Sequence, residues 1–434
     1  MPALDSFSPD VARRLPGPPA LQSRRADAAE AFHLAELPSA DEEVWRYSRV
    51  ADVDLSTRTP APAPADGAVA APAQAIRDLA APIGPAATVV AVNGHITAVT
   101  IAPEWADRGL AVGPVDDDAA LLLGSAGDPP DVFAQLNDAF APAPLAVRTP
   151  AGLEVAAPVV VVHWFEGRST AAFPRTLVHL GADSALSVLE VELSAADADV
   201  FVAPVVELVA GKAARLGHLA VQDLGPGVWQ IASQLSRADA EATIVATAAG
   251  FGGGYARLRT DCRLAGRGAT GKLRAVYFGE ADQTLDFRTF QDHAAPDTTS
   301  DLLYKGAVGG RSRSVYTGLI RVRKDARGTN AFQTNRNIKL SDDAWAESVP
   351  NLQIENNDVR CSHASAVGPV DEEQRFYVES RGVPTSVAER LIVAGFFDEV
   401  FEDLPVPSAA GPLRSSINSK LDGLRGPNAI ASAG

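Results

Sequence analysis

Cys361 and His363 stand two residues apart in DVRCSHASAVG, Asp358 to Gly368. On an extended chain alternate side chains share a face. Val359, Cys361 and His363 therefore point the same way, with Cys and His about 7 Å apart at a rise of ~3.3 Å per residue. A thiolate and an imidazole at that spacing suit iron or zinc. Two ligands fall short of the four that a closed site needs, so the remainder must come from elsewhere. The structural alternative makes Cys361 a small apolar filler and His363 a hydrogen-bonded strand residue.

Other reactive side chains read as structural. In YARLRTDCRLAG, Cys262 shares a strand face with Ala256, Leu258 and Leu264, which makes it a core residue. His293 precedes a proline-marked turn beside Asp292 and Asp297, where a histidine is usually structural but is also suited to a ligand or a pH-sensitive contact. Arg311, Arg313, Arg321, Arg323, Lys324 and Arg327 gather positive charge; a solvated strand face is expected before an anion site. No GxxxxGK[ST], GxSxG, HExxH or EF-hand pattern occurs, and FGGGY at Phe251 to Tyr255 lacks the Lys and the following helix of a phosphate loop. It reads as a turn.

The elements that would position the Cys/His pair are mostly strands. From about Ala87 to Ala366, short segments of period-two alternation are separated by Gly, Asp, Asn or Pro, as in LVHLGADSALSVLEVEL and KLRAVYFGEADQTLDF. The absence of ten-residue helical patterns between them excludes a doubly wound sheet and leaves a sandwich, a barrel or a β-helix. The length favours the β-helix, although no fixed repeat period is visible. The apolar run Ala156 to Phe165 is about half the ~20 residues of a membrane-crossing helix and reads as a buried strand. Before the strands, residues 1–58 form a helical segment, with two short helices expected across Ser23 to Val50 broken at Pro38, and 59–86 an Ala/Pro linker. After them, 367–434 turns helical. A first helix ends at Gly382; a second starts at Pro384, with Thr385 or Ser386 as N-cap and Leu391, Ile392, Phe396 and Val400 as its apolar stripe, before a frayed tail.

Composition narrows the function. Of 434 residues, 46% are hydrophobic and 21% charged, which excludes wholesale disorder. A net charge of −16 repels phosphate backbones and anionic membranes, so neither nucleic acid nor membrane is an expected partner. Two cysteines form neither a CxxC pair nor a disulfide framework, and the N-terminus MPALDSFSPDVARRLPGPP lacks the apolar stretch of a signal peptide. A cytoplasmic location is expected.

Five segments, taken in order, resemble the SufB/SufD family of iron-sulfur cluster assembly scaffolds, and SufD more than SufB. They are EEVWRYS (Glu42 to Ser48), DHAAPDTTSDLLYKG (Asp292 to Gly306), GRSRSVYTG (Gly310 to Gly318), QTNRNIKLSD (Gln333 to Asp342) and DVRCSHASAVGPVDEEQRFYVESRGV (Asp358 to Val383). The resemblance implies a right-handed parallel β-helix with helical domains at both ends. It implies a non-catalytic subunit of the SUF system that pairs with a SufB-like chain and docks a SufC-like ABC-type ATPase through its C-terminal helices. His363 falls at the interface histidine, with Cys361 as a second candidate ligand to a transient iron-sulfur cluster or iron. Phe376, Tyr377, Arg381, Leu391 and Phe396 become candidate ATPase contacts. A reduced flavin as electron donor has no visible fingerprint, and a homodimer of the isolated chain stays open. The competing class is a β-helix carbohydrate-active enzyme, which would need clustered acid/base groups and is commonly secreted.

Overall fold

The computed structural model describes residues 5–64 and 83–424. Its centre is a parallel β-solenoid of about eight turns. Two strands per turn alternate between two sheets, one of twelve and one of ten strands. The second sheet begins with the antiparallel pair β1 (Ala87–Val92) and β2 (His95–Ile101) and continues through β3 (Val159–Phe165). From there, β4 (Arg175–Leu180), β6 (Val205–Ala210), β8 (Trp229–Ala238), β10 (Tyr255–Leu264), β12 (Thr284–His293), β14 (Arg313–Val322) and β16 (Trp345–Ile354) stack in the first sheet. Strands β5 (Ala185–Ser194), β7 (Arg215–Asp223), β9 (Thr243–Gly250), β11 (Thr270–Gly279), β13 (Thr299–Val308), β15 (Thr329–Lys339) and β17 (Val359–Gly368) stack in the second.

The turns are regular in space and not in sequence. Tyr255 pairs with Thr284 and Thr284 with Arg313, steps of 29 residues, whereas Trp229 to Tyr255 is 26 and Arg313 to Trp345 is 32. A rung demands only that alternate side chains fit the interior, and many residues meet that demand, so no periodic motif is needed.

Both faces of the central sheets are covered, which explains the unbroken apolar run at Val159 to Val162. Inward residues such as Val161, Val188, Leu216, Leu273, Tyr277 and Tyr304 form the solenoid core. The outer face of the second sheet, with Val160, Val162, Leu189, Leu219 and Phe278, packs under the C-terminal helices. The first sheet is covered by helix α1 (Pro19–Leu34), helix α2 (Val132–Phe140) and the segments on either side of α1, through Phe7, Phe32, Trp45, Phe133 and Phe140.

Three expectations change at the ends. One helix, α1, replaces the two expected across Ser23 to Val50; beyond Leu34 the chain forms only 3-10 turns at Glu43–Trp45 and Val50–Asp52. Trp45 and Val50 are buried against the sheet, and that docking overrides helix propensity. Of the expected linker, residues 65–82 lie outside the described residues, while Thr59–Pro60 pairs with Thr170–Ala171. At the C-terminus, α3 (Glu372–Glu379) and α4 (Thr385–Phe401) are followed by a third helix, α5 (Ala410–Gly423), where a frayed tail was expected. Leu413, Ile417 and Leu421 bury one side of it. Gly382 takes φ +84°, the left-handed conformation of a helix terminator, as expected. The N-cap position of α4 is Pro384, one residue before the positions expected. Among the described residues, no helix is long and apolar enough to cross a membrane.

Candidate site at the open end of the solenoid

The two ends of the solenoid differ. At the first, β2 runs antiparallel along β1 and closes the stack. At the second, β16 and β17 are the outermost strands of their sheets, and neither contains a fully buried residue. Cys361 and His363 lie on β17, at inward positions: they pair in register with Ala331 and Gln333 of β15, which are 0% and 1% exposed. Their own exposure follows from position alone, because no described rung stacks above them.

Cys361 is half-buried beside Ile320, Val322, Ala326 and Ala331, and this burial raises its thiol pKa, so the resting group is protonated. His363 is exposed. Among the described residues no three His, Cys, Asp or Glu side chains are grouped to hold a metal ion. Taken alone, this end offers a thiol and an imidazole toward whatever covers it.

The remaining candidates separate cleanly. Cys262 is 1% exposed in the core, and burial pushes its thiol up to about 12, out of reach of nucleophilic chemistry. His293 is fully buried; burial lowers it to about 4, and its ring nitrogens are hydrogen-bonded to Thr298 and Ser300 at 2.8 Å each. It is a neutral structural histidine. Arg311, Arg321 and Arg323 pair with Asp282, Glu355 and Asp292, while Arg313 lies over the Trp345 ring at 6.0 Å. Three of the six cations are thus ion-paired, and only Arg313 and Arg321 lie on the strand itself, the others standing in the flanking loops.

The C-terminal helices sort their residues by face. Phe376, Tyr377 and Leu391 are 72%, 58% and 55% exposed, and Arg381 stacks over Tyr377 at 4.2 Å. Of the expected stripe, Val400 is buried, Ile392 and Phe396 are half-buried and Leu391 faces out. The side of α4 that grips the solenoid is Val393, Phe397, Val400 and Phe401. Lys305 fixes the helix by donating to the Phe396 carbonyl at 2.8 Å, with its ammonium 4.9 Å from that ring, and by pairing with Glu399. A groove of about 520 Å³ between the end of β17 and α4 is lined by Val367, Gln374, Leu391 and Phe396 among others.

Two buried polar constellations were not anticipated. Inside the solenoid, Glu190 accepts from His163 at 2.7 Å, His218 at 3.0 Å and Thr176 at 2.7 Å. Burial opposes its charge, but the two imidazoles outweigh that and hold Glu190 well below the usual carboxylate range. Burial likewise opposes a charge on His163, yet Glu190 and Glu192 raise its pKa. Glu192, supported by Gln230 at 2.7 Å, is pushed by burial up to about 7. The sequence signal was available: in LSVLEVEL, Glu190 and Glu192 continue the inward series Leu186, Val188. Beneath the EEVWRYS segment, Arg257 donates to the Val44 carbonyl at 2.9 Å and lies 3.9 Å from the Trp45 ring. Arg288 donates to the Arg46 carbonyl at 2.6 Å, and both guanidiniums pair with buried Asp286.

Comparison with known proteins shows the family of the chain. The family model described as SUF system FeS cluster assembly, SufBD core domain, matches residues 163–396. An iron-sulfur cluster assembly SufBD family protein of Mycobacterium tuberculosis is 37% identical over 225 residues, covering 50% of this chain and 57% of that protein. The iron-sulfur cluster assembly protein SufD of Bacillus subtilis is 29% identical over 274 residues, 63% of each chain. The protein of that name from Escherichia coli is 27% identical over 297 residues, covering 68% of this chain and 70% of its own. The chain thus spans little more than half the length of the mycobacterial relative.

Proposed function

From the premise that this chain belongs to the SufB/SufD family of iron-sulfur cluster assembly proteins, we propose that it is a SufD-like, non-catalytic scaffold subunit working in the cytoplasm. The open rung pairs with a SufB-like subunit, and α3 and α4 dock a SufC-like ABC-type ATPase through Phe376, Tyr377, Arg381 and Leu391. His363 is a ligand to the nascent cluster or iron, with Cys361 beside it and the other ligands supplied by the partner. The cluster is cargo, built and passed on.

The observation that carries this reading is the pairing of Gln333 with His363 at the last rung. It puts a ligand-type side chain at an inward position that nothing in the described chain covers. Two exposed edge strands, each ten residues long, flank it, and an exposed edge of that length is a template for pairing with another chain. Phe396 is half-buried under Lys305, so its contribution to docking is to support Leu391 from within the groove.

Co-purification of the tagged chain and a His363→Ala variant with native partners tests the proposal. Both proteins are expected to bring down an ATPase and a second β-helix subunit, with iron-sulfur absorbance in the wild type alone. A wild type that comes down alone and colourless, or a variant that keeps its cluster, overturns it.

A further inference from the structure

Gln333 lies directly below His363 on the inward face, one rung spacing of about 4.8 Å away. It is 1% exposed, yet neither its Oε1 nor its Nε2 has a hydrogen-bond partner among the described residues. A buried amide left unpaired forfeits the hydrogen bonds it made to water, and native interiors pair nearly all such groups. Its surroundings hold the amide in the lumen. A Cβ at Gly318 would collide with Gln333 Nε2 and with the Tyr316 hydroxyl, and that hydroxyl already shares a hydrogen bond with Thr289 at 2.9 Å. The neighbouring inward amides are satisfied: Asn335 donates to the Tyr277 hydroxyl at 3.0 Å, Tyr277 donates to Asn337 Oδ1 at 2.7 Å, and Asn337 donates to Asn335 Oδ1 at 2.9 Å. On this strand the polar interior is paired everywhere except at the amide beneath His363.

We propose that Gln333 is a positioning residue for His363. When the imidazole turns inward and binds metal through one ring nitrogen, Gln333 Oε1 accepts the N–H of the other, which fixes the tautomer and the ring plane. Ligating histidines commonly give their second N–H to such an acceptor. The arrangement would give the buried amide a partner that it lacks among the described residues, and it predicts opposite effects on stability and on metal retention. The inference rests on His363 being a ligand, as proposed above.

The test uses the assembled complex, with iron release to a ferrous chelator as readout beside the thermal midpoint and subunit stoichiometry. Gln333→Met removes both polar atoms at nearly constant shape. It is expected to keep the stoichiometry, to hold or raise the midpoint, and to release iron about 10- to 100-fold faster. Gln333→Glu keeps an acceptor and is expected to restore slow release. Gln291 is the control, since both its amide atoms are also unpaired but its ladder neighbours Cys262 and Ile320 are buried. Gln291→Met should leave iron release unchanged. Wild-type release from Gln333→Met, a lowered midpoint in that variant, or failure of Gln333→Glu to restore retention would overturn the positioning role. If His363→Ala also retains iron, the ligand reading fails and takes this one with it; if His363→Ala loses iron while Gln333→Met does not, only the positioning role fails.

Discussion

His163 Nε2 lies 2.7 Å from Glu190 Oε1, and both side chains are 5% exposed. The pair is enclosed by the solenoid, and the second carboxylate oxygen of Glu190 accepts from His218. Removing one member of a buried pair strands the other's charge or hydrogen bond in the interior. Glu190→Ala is expected to destabilise the chain by about 3–5 kcal/mol, read as a shift of the urea unfolding midpoint. A loss below about 1 kcal/mol would mean that solvent reaches the cluster.

Glu192 gives the fold a pH dependence of definite sign. Its folded-state pKa of about 7 lies above the ordinary 4.5, so between these values the native chain holds a proton that the unfolded chain has released. Its contribution to stability is therefore full below pH 4.5 and is lost as the pH rises toward 7, on the order of 3 kcal/mol in total. His293 acts in the opposite direction. Its pKa is lowered to about 4 from 6.5, so stability falls as the pH drops between those values. The difference between wild type and Glu192→Gln isolates the first effect. The variant should gain on the wild type in urea midpoint from pH 5 to about pH 7 and then hold a constant lead, and parallel profiles across that range would refute the assignment.

Helix α4 carries the proposed docking contact and the core packing on different faces. Leu391 is exposed and Phe397 is fully buried in the cluster that joins the helix to the second sheet. Leu391→Glu is expected to change stability by less than about 0.5 kcal/mol while abolishing ATPase capture. Phe397→Ala should cost about 3–5 kcal/mol. Retained capture by a folded Leu391→Glu chain would remove this face from the docking surface.

Much was legible in the residues themselves. Alternation placed Cys262 inside and Cys361 and His363 on a common face, because the two-residue period of a strand is local geometry. The apolar run before Phe165 indicated a buried strand, and Gly382 indicated a helix end, because glycine takes that left-handed turn without a steric cost. The order of short motifs was enough to indicate the family. What stayed hidden depended on which segment stacks on which. Alternation gives His363 and Gln333 the same inward direction; only the stack makes one buried and the other exposed, since exposure is decided by the rung above. Leu391 and Phe397 are equally apolar in sequence, and the rotation of α4 against the solenoid sorts them. Residues after Leu34 favour a helix locally, yet burying Trp45 under Arg257 and Phe133 repays a less regular path. Glu190 and its two histidines meet across strands 27 and 28 residues apart, a distance at which no local pattern carries the pairing. Strand, face and family were thus determined by the sequence alone, and burial, pairing and the open end by the tertiary stack, because the former arise from neighbours along the chain and the latter from neighbours in space.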